Sequence, residues 1–227
     1  GSYSLIDATT SSNNTAVGYL SLRNNTTGAN NTAVGKSALT ANTTAGKNTA
    51  VGTNALASNT TAEESTAVGY YALSNSTGAN NTAVGTQALH ANTTGADNTA
   101  VGRFALDANT EGDKNVAIGV GALTDNTTGD YNVAIGENAL GDNTTASNNV
   151  AIGMDALRLN VAGVENVAVG NDALKANTGN YNVAVGNDAL KSNTTGEHNI
   201  GIGAYAADDI TTGDDNTVMG YNALPNC

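Results

Sequence analysis

The chain has 227 residues and a mass of 22.5 kDa, with 8 basic against 20 acidic side chains and a formal net charge of −12. That balance excludes the basic groove that nucleic-acid phosphates need and the basic patch that an anionic membrane surface attracts. Aromatic residues make up 4% of the chain, with one Phe, one Pro and no Trp, too few large side chains for a conventional core to offset roughly 1–2 kcal/mol of backbone entropy per residue.

With charged residues at only 12%, charge-driven disorder is not expected, and the composition calls instead for a strictly repetitive fold. No run of about 18 apolar residues is present, so no membrane-spanning helix is expected. Gly1-Ser2 reads as a cloning remnant. The lone cysteine, Cys227, forms neither an intrachain disulfide nor a zinc cluster.

A glycine closes each Ala-Val-Gly or Ala-Ile-Gly, first at Gly18, Gly35, Gly52 and Gly69, and finally at Gly203 and Gly220. The spacing is 17 residues except for two steps of 16, Gly69–Gly85 and Gly170–Gly186. Such a fixed period is the signature of a solenoid. The pattern fills residues 1–227, which read as a single repeat-array domain cut from a longer fibre.

Residues 115–131 show the unit: Asn115-Val116-Ala117-Ile118-Gly119, then Ala122-Leu123, then Asn126-Thr127-Thr128-Gly129. The first five alternate with β-branched side chains, which is strand chemistry. Asn-Thr-Thr-Gly is turn chemistry. About seventeen residues cannot hold a strand, a helix and two turns, so two short strands per coil are predicted. Both 16-residue coils lose their residue in a turn, where a solenoid tolerates it.

In stacked coils each repeat position becomes a ladder. One ladder runs Val17, Val34, Val51, Val68, Val84, Val101, Ile118, Ile135, Ile152, Val169, Val185 and Ile202. It admits no polar residue, and burial is predicted. A second runs Leu39, Leu56, Leu73, Leu89, Leu106, Leu123, Leu140, Leu157, Leu174 and Leu190, and is also expected in the core. The residue between strand positions stays small: Ala33, Ala50, Ala67, Ala83, Ala100, Ala117, Ala134, Ala151, Ala168 and Ala184. On a strand it points away from the valine. One Val and one Leu per coil is a thin core, so the alanine face is expected against a partner subunit.

Asn115–Gly119, Asn132–Gly136 and Asn149–Gly153 resemble the head repeats of trimeric autotransporter adhesins, the YadA-like heads. Asn-Thr-Ala-Val-Gly with Ala-Leu and Asn-Thr-Thr-Gly is similar to repeats of phage-type tail fibres. The resemblance implies a left-handed parallel β-roll assembled as a homotrimer; with the all-β reading and the glycine spacing, that gives an all-β roll of about thirteen 17-residue coils, a period longer than the adhesin-head unit. It also implies a head or shaft of an extracellular surface or virion fibre, whose partners are itself and a host-surface protein or glycan.

Chemistry is sparse. His90 and His198 fall at different repeat positions, and no Ser–His–Asp pattern is visible. Asp155, Asp172 and Asp188 recur at one offset and suggest a solvated acidic face rather than a calcium site. The glycines follow the coil period and match no phosphate loop. Asn-Thr-Thr triplets form sequons, but a structural Asn ladder explains them. Tyr19, Tyr70, Tyr71, Phe104, Tyr131, Tyr181, Tyr205 and Tyr221 read as single side chains shielding coil corners, with glycan contact the sharper alternative. No catalytic, cofactor or metal residue is expected. The competing function is ice binding through stacked Thr pairs such as Thr26-Thr27, Thr43-Thr44 and Thr127-Thr128.

Overall fold

In a computed structural model that describes residues 1–224, the chain forms thirteen three-residue strands and, among those residues, no helix. Cys227 lies outside the described residues. Two compact units divide the chain, Gly1–Lys114 and Asn115–Cys227. The first holds β1 (Thr15–Val17), β2 (Thr32–Val34), β3 (Thr49–Val51), β4 (Thr66–Val68), β5 (Thr82–Val84) and β6 (Thr99–Val101). The second holds β7 (Val116–Ile118), β8 (Val133–Ile135), β9 (Val150–Ile152), β10 (Val167–Val169), β11 (Val183–Val185), β12 (Ile200–Ile202) and β13 (Thr217–Met219).

Within each unit every strand pairs in parallel with the next, and equivalent residues face one another, as Ala33 faces Ala50 and Ala134 faces Ala151. The chain is therefore a parallel β-solenoid with coils of 16 or 17 residues, the fold class that the period predicts. The strand glycines permit this stacking. Gly35 has a φ of 136°, and a methyl on it would strike the carbonyl oxygen of Gly52 in the next coil.

Among the described residues the second strand expected in each coil is absent. From Leu22 to Leu190 every ladder leucine has a left-handed φ of 48–54°, and the residue two before it is left-handed as well. Alternating left-handed residues break the extended conformation. Axial hydrogen bonding nonetheless continues: Leu39 donates its N–H to Ala55 O at 3.0 Å and Leu140 donates to Ala156 O at 3.0 Å. Left-handed backbone costs about 1–2 kcal/mol per residue. Full burial of a leucine side chain contributes about 1.5–3 kcal/mol, and from Leu22 to Leu190 each is at most 1% exposed. Burial therefore offsets leucine's own backbone strain to within the size of either quantity, which favours a large apolar residue at the position.

The leucine ladder is thus in the core as predicted, but the two strand faces are reversed. Ala33, Ala50, Ala67, Ala83, Ala100, Ala117, Ala134, Ala151, Ala168 and Ala184 are 0% exposed within the chain itself, and present no surface to a partner. The β-branched ladder faces out. Val17, Val68, Val84, Ile118, Ile152 and Val185 are exposed, while Val34, Val51, Val101, Ile135, Val169 and Ile202 are half-buried. The cause is the narrow coil interior. At Gly201, which replaces the strand alanine in β12, a methyl would already lie 2.9 Å from Leu190 Cγ. Where the other coils carry alanine, its methyl is fully buried beside the leucine, and the space holds no more than that methyl, so alanine points in and the branched residues point out.

Two substitutions separate these orientations. Leu140→Ala should cost about 2–5 kcal/mol through the cavity left behind, and Ala134→Ile about 1–3 kcal/mol through overpacking. Thermal unfolding followed by circular dichroism checks both. An Ala134→Ile chain as stable as the parent would contradict the inward alanine.

Candidate functional site

Two asparagine ladders line the interior beside the leucines. The first opens each strand segment, and from Asn31 to Asn199 its asparagines are fully buried. Its Oδ1 accepts the backbone N–H of the equivalent residue one coil on, as from Asn48 to Asn31 (3.0 Å) and from Asn149 to Asn132 (3.0 Å). Its Nδ2 donates to a turn carbonyl, as Asn31 to Ala45 O and Asn132 to Ala146 O, both at 2.8 Å. The second ladder belongs to the Asn-Thr-Thr turns. Asn42 Nδ2 donates both to Asn25 Oδ1 (2.7 Å) and to Ala45 O (3.0 Å). These asparagines are fully buried, so the folded turn offers no sequon asparagine at this position.

What faces outward can meet a partner. In the first unit the outward strand positions are Thr and Val; from β7 to β12 both positions are Val or Ile. Every one of those twelve side chains in the second unit is half-buried or exposed, and none is charged.

Neither the family models, nor the curated proteins, nor the solved structures contain a match to this chain. Its own geometry therefore carries the functional reading.

Three further clusters lie on the corners. Asp155, Asp172 and Asp188 are not a bare acidic face. Lys175 Nζ lies 2.8 Å from Asp172 Oδ1 and 3.1 Å from Asp155 Oδ2, and Lys191 Nζ lies 2.6 Å from Asp188 Oδ1 and 3.4 Å from Asp172 Oδ2. Arg158 Nη1 adds a 3.5 Å contact to Asp155. The repeated Asp-Ala-Leu-Lys or Asp-Ala-Leu-Arg places each cation against its own coil's acid and, for both lysines, the preceding one. Among the described residues no group of three or more metal-ligating side chains is close enough to hold an ion.

Tyr19, Tyr70, Tyr71, Tyr181, Tyr205 and Tyr221 each meet another ring instead of standing singly. Tyr70 and Tyr71 have ring centroids 4.5 Å apart, Tyr71 meets His90 edge-on at 5.9 Å, and Tyr181 stacks on His198 at 5.0 Å. Arg103 covers Phe104 at 4.9 Å. Sequence reasoning missed a third juxtaposition. Ser74, His90 and Asp107 each follow the ladder leucine of consecutive coils, and His90 Nδ1 lies 3.7 Å from Asp107 Oδ1. Comparing the residue after each leucine would have found it. Ser74 Oγ is buried and makes no hydrogen bond, so it is neither coupled to the imidazole nor open to a substrate.

Burial pushes the Asp172 carboxyl up, but hydrogen bonds and charge from Lys175 and Lys191 outweigh it and hold the group below its ordinary value. Lys175 is raised chiefly by its bond to Asp172, and Lys191 by its bond to Asp188. A depressed acid contributes stability above its unfolded value of about 3.9 and loses it as pH falls through the folded value. The raised lysines contribute below about 10.4 and lose it as pH rises. Partly exposed pairs contribute about 0.2–1 kcal/mol each. Asp172→Asn should therefore lower the melting temperature modestly and equally from about pH 5 to 9. The difference should vanish in strong acid; one that persisted undiminished at about pH 2 would contradict the ladder's role.

Proposed function

We propose that the chain is a head or shaft segment of a surface fibre, a trimeric bacterial adhesin or a phage-type receptor-binding fibre. In this reading it is a left-handed β-roll that self-associates as a homotrimer outside the cell. The observation that carries the proposal is the outward face of β7–β12. Twelve uncharged apolar side chains stand there in register, half-buried or exposed. Folded monomers rarely expose contiguous apolar patches of more than a few hundred Å². Parallel strands rich in Val and Ile on consecutive ladders are characteristically covered on both faces. The inner face is covered by the chain's own leucines; a second and third copy would cover the outer one. The subunit contact thus moves from the alanine ladder to the Val and Ile ladder.

The mechanism is mechanical. Repeated axial hydrogen bonds and buried asparagines make each coil a template for the next, and a stack of that kind carries load without a large core. The corners, exposed Tyr70 with half-buried Tyr71 and His90 among them, are the proposed contacts for a host-surface protein or glycan, where aromatic faces and polar edges lie together.

Light scattering on a sizing column tests the assembly. The expected mass is three times 22.5 kDa, and Ile135→Lys with Val150→Lys should reduce it to that of one chain while circular dichroism stays unchanged. A parent chain that runs as a monomer would remove the ground for the reading.

A further inference from the structure

The outward face of β1–β6 differs chemically from that of β7–β12, and we infer that it is an ice-binding surface. Thr15, Thr32, Thr49, Thr66, Thr82 and Thr99 occupy one ladder on it, each followed two residues later by a valine on the same face. Parallel in-register pairing sets the threonines one strand spacing apart, about 4.8 Å, as Thr32 faces Thr49 and Thr49 faces Thr66. Threonine and valine on one strand are two residues apart, about 6.6 Å. None of these six hydroxyls has a hydrogen-bond partner within the chain among the described residues, and five of the six side chains are half-buried, with Thr15 exposed.

The turn threonines are different. Thr26 Oγ1 donates to Thr43 O at 3.0 Å, Thr43 Oγ1 to Thr60 O at 3.1 Å, and Thr93 Oγ1 to Thr110 O at 2.8 Å. These hydroxyls tie coil to coil and cannot direct their protons to an outside lattice. At Thr26, Thr43 and Thr93 the first threonine of the pair is therefore committed to the fold; the second, as Thr27 and Thr44, is exposed in a turn and lacks the valine ladder that flanks each strand threonine.

An array that repeats at the coil spacing is matched at every position only by something with a commensurate repeat. A second copy of the chain is one such object, but a dry interface over β1–β6 would strip water from six hydroxyls, and an unpaired buried hydroxyl costs about 1–3 kcal/mol. A lattice of water satisfies every hydroxyl, while the valine methyls between them order the same water without competing for its bonds. The face carries no charge that would hold bulk-like hydration. Its occupant is accordingly crystalline water rather than an ion or a charged polymer.

This inference is independent of the self-association proposed for β7–β12, and the test keeps the two apart. Thermal hysteresis and crystal shape are measured on the full chain, its Thr66→Lys/Thr82→Lys variant and a control, Thr44→Lys/Thr61→Lys, which changes exposed turn threonines. The molar mass and circular dichroism of all three are recorded alongside. The parent and the control should shape ice and show hysteresis, and the strand variant should fall to the buffer baseline with mass and spectrum unchanged. Absence of ice shaping in the parent overturns the inference. A changed mass in the strand variant also overturns it, since the face then binds another copy. So does retention of the parent on insoluble cellulose without ice activity, since the periodic partner is then a polysaccharide.

Discussion

The constraint on which everything else depends is translational identity: each coil must offer the next the same donors and acceptors at the same places. The buried asparagines enforce it. An asparagine that accepts the N–H of its successor and donates to a turn carbonyl, as Asn132 does toward Asn149 and Ala146, satisfies backbone groups that a narrow coil cannot pair internally. Such a side chain fits one register only. Shifting a coil by one residue would orphan both of its bonds in a dry interior, where each lost partner costs about 1–3 kcal/mol. The polar ladders fix register, and the leucines supply the apolar burial.

That division explains how so thin a core suffices. A leucine held left-handed crosses the coil and fills it, leaving space for one methyl from the strand. The β-branched residues, which strand geometry favours, are then forced outward. Surface chemistry follows from this exclusion: the face with Val and Ile is left needing a partner, and the face with Thr is left with free hydroxyls. One structural rule produces both candidate surfaces, and the identity of the outward residue decides between them.

Much of this was legible in the sequence. The 16- and 17-residue periods, the strand that ends at each Ala-Val-Gly or Ala-Ile-Gly, the buried leucines and the asparagine ladder all follow from which residue types recur at which position. Orientation was not legible. A ladder that never admits a polar residue, from Val17 to Ile202, looks like a core, and alternation alone says only that Ala33 and Val34 point oppositely. What decides between them is the volume left by Leu190 and its equivalents, a three-dimensional quantity. The second strand was miscounted for a related reason. Nothing in Ala-Leu announces a left-handed leucine, a conformation that local preference disfavours and only the assembled coil repays. Ser74, His90 and Asp107 needed comparison across coils at a position where the residue type changes from one coil to the next over Ala57, Ser74, His90, Asp107 and Thr124.

The central claim, that the coil is lined by alanine, leucine and asparagine while its branched residues face out, is open to one direct measurement. Methyl-labelled protein would be examined for through-space contacts between leucine methyls and the strand side chains of the same chain. The account predicts strong contacts from strand alanine methyls such as Ala134 to ladder leucines such as Leu123, and none from Ile135. Contacts from Ile135 to the leucines, with the alanines silent, would contradict it.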